Sequence, residues 1–113
     1  MSNFKLGDKV EVEINKLKYP GVVTTLKYIK SIAYESDTIF LGPNLDDFIK
    51  LDDFVFVVIP NIYVLHVKEE YFTDPKYIGS YIVLPIHEKH IYRNISTISD
   101  ETTSKIYRQI FED

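Results

Sequence analysis

Two stretches of this 113-residue chain gather side chains that could do chemistry. The first is His87-Glu88-Lys89-His90. A helical zinc-protease site needs two histidines four apart on one helix face, with a glutamate between them as base. Here the histidines are three apart and follow Pro85, with no helical run around them. On a strand, positions 87 and 90 face opposite sides. With His66 the chain still offers only unlinked imidazoles, so neither a metal nor a cofactor is expected.

The second stretch holds Asp46, Asp47, Asp52 and Asp53, the densest charge cluster. A calcium loop alternates its acids and turns on a glycine, whereas these acids come in pairs with no glycine between them. Paired carboxylates also serve acid–base catalysis, where a pocket drives their pKa values apart. No nucleophile elbow, Walker loop or phosphate-cradling glycine run accompanies these. The chain is therefore expected not to be an enzyme. Two roles are left for the acids: a solvated turn, or a surface that docks a basic protein.

The elements that would position these residues follow from composition. Fifteen Ile, ten Val, nine Tyr and seven Phe stand against one Ala, Ala33. β-branched and aromatic side chains suit a pleated, half-buried surface, and Ala is the best helix former. Sheet is expected, in one domain spanning residues 1–113 around one core. Without cysteine, the fold must hold by packing alone. The opening MSNFKLGDKV lacks the apolar core of a signal peptide, and the long apolar run 54–67 is too interrupted to span a bilayer. A cytoplasmic location is expected.

Val10, Val12 and Ile14 alternate with Glu11 and Glu13, a period of two that reads as a half-buried strand. Tyr19-Pro20-Gly21 reads as a turn, so a second strand is expected over 22–29, joined to the first by a loop at 15–21. Further strands are expected at 38–41, 54–59, 62–67, 77–84 (ended by Pro85) and 90–95. Leu45 to Leu51 suits a short helical turn, with Asp46 and Asp47 near its N-terminus. Ile106, Ile110, Tyr107 and Phe111 recur at four-residue spacing and predict a helix over about 100–111, capped by Ser99 or Asp100. The expected class is mainly β: a small SH3-like barrel or a strongly bent antiparallel sheet with one C-terminal helix.

Gly7-Asp8-Lys9-Val10-Glu11-Val12 and Tyr19-Pro20-Gly21-Val22-Val23-Thr24 resemble the first hairpin of SH3-like barrels of the Tudor and KOW kind. The resemblance covers about the first 25 residues and rests on a generic motif. It implies a binding module in which a loop aromatic, here Tyr19, shapes a ligand surface. After residue 50 the strands lack the glycine-rich spacing of those folds, and the chain has no Trp.

The formal net charge of −4 is unevenly spread. Residues 1–30 balance at +3, residues 31–74 at −7 and residues 75–113 at zero. An acidic chain with two arginines is poorly equipped for phosphate backbones, so nucleic acid is not the expected partner. Tyr is a frequent interface residue, and Glu69-Glu70-Tyr71-Phe72-Thr73-Asp74 mixes aromatics with acids. The expected function is non-enzymatic protein binding. By composition, small acidic cysteine-free chains of this kind resemble toxin-immunity proteins and phage-encoded inhibitors of bacterial defence. The expected docking residues are Asp46, Asp47, Asp52, Asp53, Glu69, Glu70, Tyr71, Phe72 and Asp74. Two alternatives stand beside this: a nucleic-acid module built on Lys5, Lys9, Lys16, Lys18, Lys27 and Lys30, or a structural component of a phage or other assembly.

Overall fold

The computed structural model describes residues 3–33, 38–42, 44–60 and 81–111. Within them a six-stranded mixed sheet is joined by two helices. The strands are β1 (Lys9–Ile14), β2 (Leu17–Thr24), β3 (Ile39–Leu41), β4 (Phe54–Pro60), β5 (Tyr81–His87) and β6 (Ile91–Tyr92). The helices are α1 (Leu26–Ala33) and α2 (Thr97–Phe111). The sheet runs β3-β5-β4-β2-β1-β6, antiparallel except for the parallel β3–β5 pair, and it is open rather than a closed barrel. The expected strand over 62–67 lies outside the described residues, as do residues 77–80 of the one expected over 77–84, whose remainder falls in β5, which runs on to His87.

The first hairpin forms in a tighter version than the turn residues suggested. Asn15 and Lys16 both take positive φ, 52° and 70°, and β2 restarts at Leu17 directly opposite Ile14. Two central residues with positive φ match the right-handed twist of the flanking strands. Tyr19-Pro20-Gly21 is therefore strand, not loop, and Tyr19 is buried rather than presented to a ligand. Proline survives inside β2 because β4 pairs only with Val22–Thr24, leaving one side of Pro20 unpaired. Pro85 does not end β5 for the same reason, since β3 stops opposite Val83.

The expected strand over 22–29 breaks at Thr25. Its hydroxyl accepts from the Tyr28 amide at 3.2 Å and its carbonyl from Ile29 at 3.0 Å, an N-cap that opens α1. Leu26 and Ile29 then fall on one helical face and are buried. In α2 the cap is Ser96, whose Oγ accepts from the Ser99 amide at 3.2 Å, so the helix starts earlier than expected.

Strict alternation divides the sheet into two buried faces. On one, Val22, Val58 and Val83 pack with Leu26 and Ile29 of α1 and Ile106 and Ile110 of α2. On the other, Val10, Val12, Val23, Val57, Ile59 and Ile82 form a second cluster, with Phe4 and Leu84 against it. Burying each such side chain contributes about 1.5–3 kcal/mol, and two apolar faces account for the Ile and Val excess. No helix among the described residues is long and apolar enough to cross a membrane.

Candidate functional site

Residues 44–54 form an exposed knuckle between β3 and β4. Asn44, at φ 59°, enters a 3₁₀ turn over Leu45–Phe48. Bonds Asp47 N to Asn44 O, Leu51 N to Phe48 O and Phe54 N to Leu51 O, 3.1–3.2 Å, carry the turn chain forward. In 3₁₀ geometry residues three apart eclipse. Leu45 is therefore buried and Phe48 half-buried, its ring edge-on to Phe54 at 4.9 Å. Everything else from Asp46 to Asp53 faces solvent, including Ile49 at 55% and Leu51 at 46% exposure.

The four expected aspartates lie on this knuckle but do not act as one cluster. Asp46 is paired with Lys30 of α1 at 2.8 Å, both side chains exposed. Such a pair contributes about 0–1 kcal/mol. Asp53 lies 3.9 Å from Nε2 of His87, and its carbonyl accepts from the Glu88 amide at 2.8 Å. Asp47 and Asp52 have no ionic partner among the described residues. Glu69, Glu70, Tyr71, Phe72 and Asp74 lie outside the described residues.

The histidines are closer than a continuous strand would place them. A 3₁₀ turn over Glu88–His90 interrupts the chain and sets the His87 and His90 rings 6.3 Å apart. His87 Nδ1 accepts from the Lys89 amide at 3.2 Å, which places the neutral ring's proton on Nε2, toward Asp53. No group of three potential ligands suited to a metal occurs among the described residues.

Beside the knuckle runs an open apolar groove of about 370 Å³. Its lining includes Phe4 and Leu6 from the N-terminal segment, Leu26 from α1, Ile49 from the knuckle, and Phe54 and Phe56 from β4. Arg93 holds the N-terminal wall: its guanidinium lies 4.3 Å over the Phe4 ring and 3.4 Å from Asp8. Gly7, at φ +95°, turns this segment into β1, with its amide bonded to the Val23 carbonyl at 2.8 Å. The sequence carries no short-range signal for this groove, because its walls come from segments far apart in the chain.

Some of the lysines in residues 1–30 are engaged on the protein. Lys9 Nζ reaches Ser104 Oγ at 3.0 Å, Lys18 sits 4.3 Å over the Tyr92 ring, and Lys30 holds Asp46. Tyr92 in turn donates to Glu13 at 3.1 Å, which raises the pKa of its phenol, with desolvation and the Glu13 charge adding to the shift. No family model, curated protein or solved structure matches the chain.

Proposed function

We propose that the chain is a non-enzymatic, cytoplasmic protein-binding domain, a small acidic inhibitor of the toxin-immunity or anti-defence type, that docks a basic protein surface through the 46–53 knuckle. The observation that carries this reading is the pairing of exposed Ile49 and Leu51 with exposed Asp47, Asp52 and Asp53 on one short hydrogen-bonded turn. Large apolar side chains left in water beside charges suit an interface core with a polar rim. Rim carboxylates would steer a cationic partner and set the salt dependence of encounter.

The test is capture from host extract followed by binding measurements on the purified partner. The reading expects a partner with a basic contact surface whose affinity falls with salt. Asp47→Lys with Asp52→Lys, and separately Leu51→Ala, should each weaken it. Retention of full affinity by both variants refutes the assignment.

A further inference from the structure

We propose that His87 is a proton-operated latch on the turn between β5 and β6. The neutral ring holds the turn shut, and the doubly protonated ring releases it and pairs with Asp53 instead.

The turn Glu88–His90 carries the chain from β5, an inner strand, to β6 at the edge of the sheet beside β1. Two residue pairs, Glu11 with Tyr92 and Val12 with Ile91, hold β6 to β1, so its seat depends on how the turn delivers it. The Lys89 amide donates to His87 Nδ1 at 3.2 Å, and the Ile91 amide donates to the Glu88 carbonyl. The first of these bonds needs a bare ring nitrogen. A neutral imidazole has one acceptor and one donor, whereas the charged ring has two donors. A second proton therefore sets a ring N–H against the Lys89 N–H, and the cap is lost.

The His87 side chain is 32% exposed, so protons reach it from solvent. From the knuckle, Asp53 lies 3.9 Å from Nε2 and favours the added charge. Within the turn, Glu88 favours it too, while Lys89 and His90, whose ring is 6.3 Å away, oppose it. From β4 comes Phe54, directly opposite His87 and uncharged. Glu88 adds a second driving force. Its Oε2 is buried with no hydrogen-bond partner among the described residues, and an opened turn returns it to water. The bond from the Glu88 amide to the Asp53 carbonyl, 2.8 Å, does not involve the ring and keeps the turn tethered to the knuckle. The change is therefore local: the cap is lost, the tether stays and β6 loosens.

Nitrogen NMR of the whole chain from about pH 8 to pH 5, the range in which histidine changes charge, tests this. At the upper end the His87 ring should show a bare Nδ1 and a protonated Nε2. On acidification the Lys89 amide resonance should move together with the ring. The protection factors of the Lys89 and Ile91 amides should then fall about fivefold, as on loss of an N-cap. His87→Asn keeps a side-chain oxygen to accept from Lys89 but cannot charge, and should hold both amides protected across the range. Asp53→Asn should move the transition to lower pH, and His90→Gln should move it to higher pH. All three positions lie outside the buried core, so the variants fold.

A proton on Nδ1 at the upper pH overturns the inference. So does a Lys89 amide that ignores the ring titration, or a loss of protection that persists in His87→Asn. An unmoved midpoint in Asp53→Asn overturns the exchange of partners on which the latch depends.

Discussion

Replacing Glu11 with alanine removes a buried carboxylate that ties the second half of the chain to the first. Glu11 is 9% exposed, on the sheet face beneath α2. One carboxylate oxygen accepts from the Ser96 amide at 2.9 Å and the other from Ser99 Oγ at 3.2 Å. Both donors belong to the start of α2, where an anionic group suits the helix dipole. A hydrogen bond to a charged group contributes about 1.5–3 kcal/mol. Ser96 is exposed and its amide regains water, but Ser99 is 8% exposed and its hydroxyl does not. Removing a buried charge also returns part of its desolvation cost. The balance for Glu11→Ala is a loss of about 2–4 kcal/mol. At about 4 °C per kcal/mol for a domain of this size, the melting temperature should fall by about 8–16 °C. Glu11→Gln keeps the size and one acceptor, and should lose about 1 kcal/mol. A double-mutant cycle with Ser99→Ala should show a coupling of about 1–2 kcal/mol. Calorimetry reads the first effect, and faster amide exchange in the first turn of α2 reads its location. A Glu11→Ala protein melting within about 2 °C of wild type, a change of about 0.5 kcal/mol, refutes the clamp.

Gly21→Ala should destabilise, because the new Cβ would lie 2.5 Å from Val57 Cγ1 and 3.1 Å from the Val58 carbonyl. Overpacking of this kind costs about 1–3 kcal/mol, read as a lower urea midpoint and partly relieved in a Val57→Ala background. Lys16→Gly should stabilise by about 0.5 kcal/mol, since relief of the left-handed backbone exceeds the added chain entropy; denaturant unfolding checks it. Tyr92 should be among the last tyrosines to ionise in an ultraviolet difference titration, and Glu13→Gln should lower its midpoint. Its phenol is held above the ordinary value of 10.0 in the folded chain. The Tyr92–Glu13 contribution is therefore present below that pH and lost as the pH rises through the raised value.

Much of the strand layout was legible because it is written at short range. Alternation at Val10, Val12 and Ile14, the apolar run from Phe54, and the four-residue spacing of Ile106 and Ile110 each place an element. Errors arose where local chemistry carried two meanings. Tyr19-Pro20-Gly21 looks like a turn, yet Gly21 is there because β4 side chains leave no room for a Cβ. The run after Val22 looks like strand, yet Thr25 caps a helix. Ser99 looked like the cap of α2, and it serves instead as a donor to Glu11.

The candidate site divides in the same way. That Asp46, Asp47, Asp52 and Asp53 belong to a polar turn follows from the sequence by itself, because paired acids just after a Pro-Asn turn signal suit the start of a short helical turn. Which of them is left unpaired was decided by the tertiary structure. Only the packed fold brings Lys30 to Asp46 and His87 to Asp53. The −7 balance of residues 31–74 is a sum over the chain, whereas the charge a partner meets depends on distances, since Coulomb energy falls with separation and is screened by water. The groove is wholly a tertiary feature. Its apolar residues read as core one by one, and they line an open cleft only because the Phe4–Leu6 segment, α1 and the knuckle converge at one end of β2 and β4 without filling the space between them.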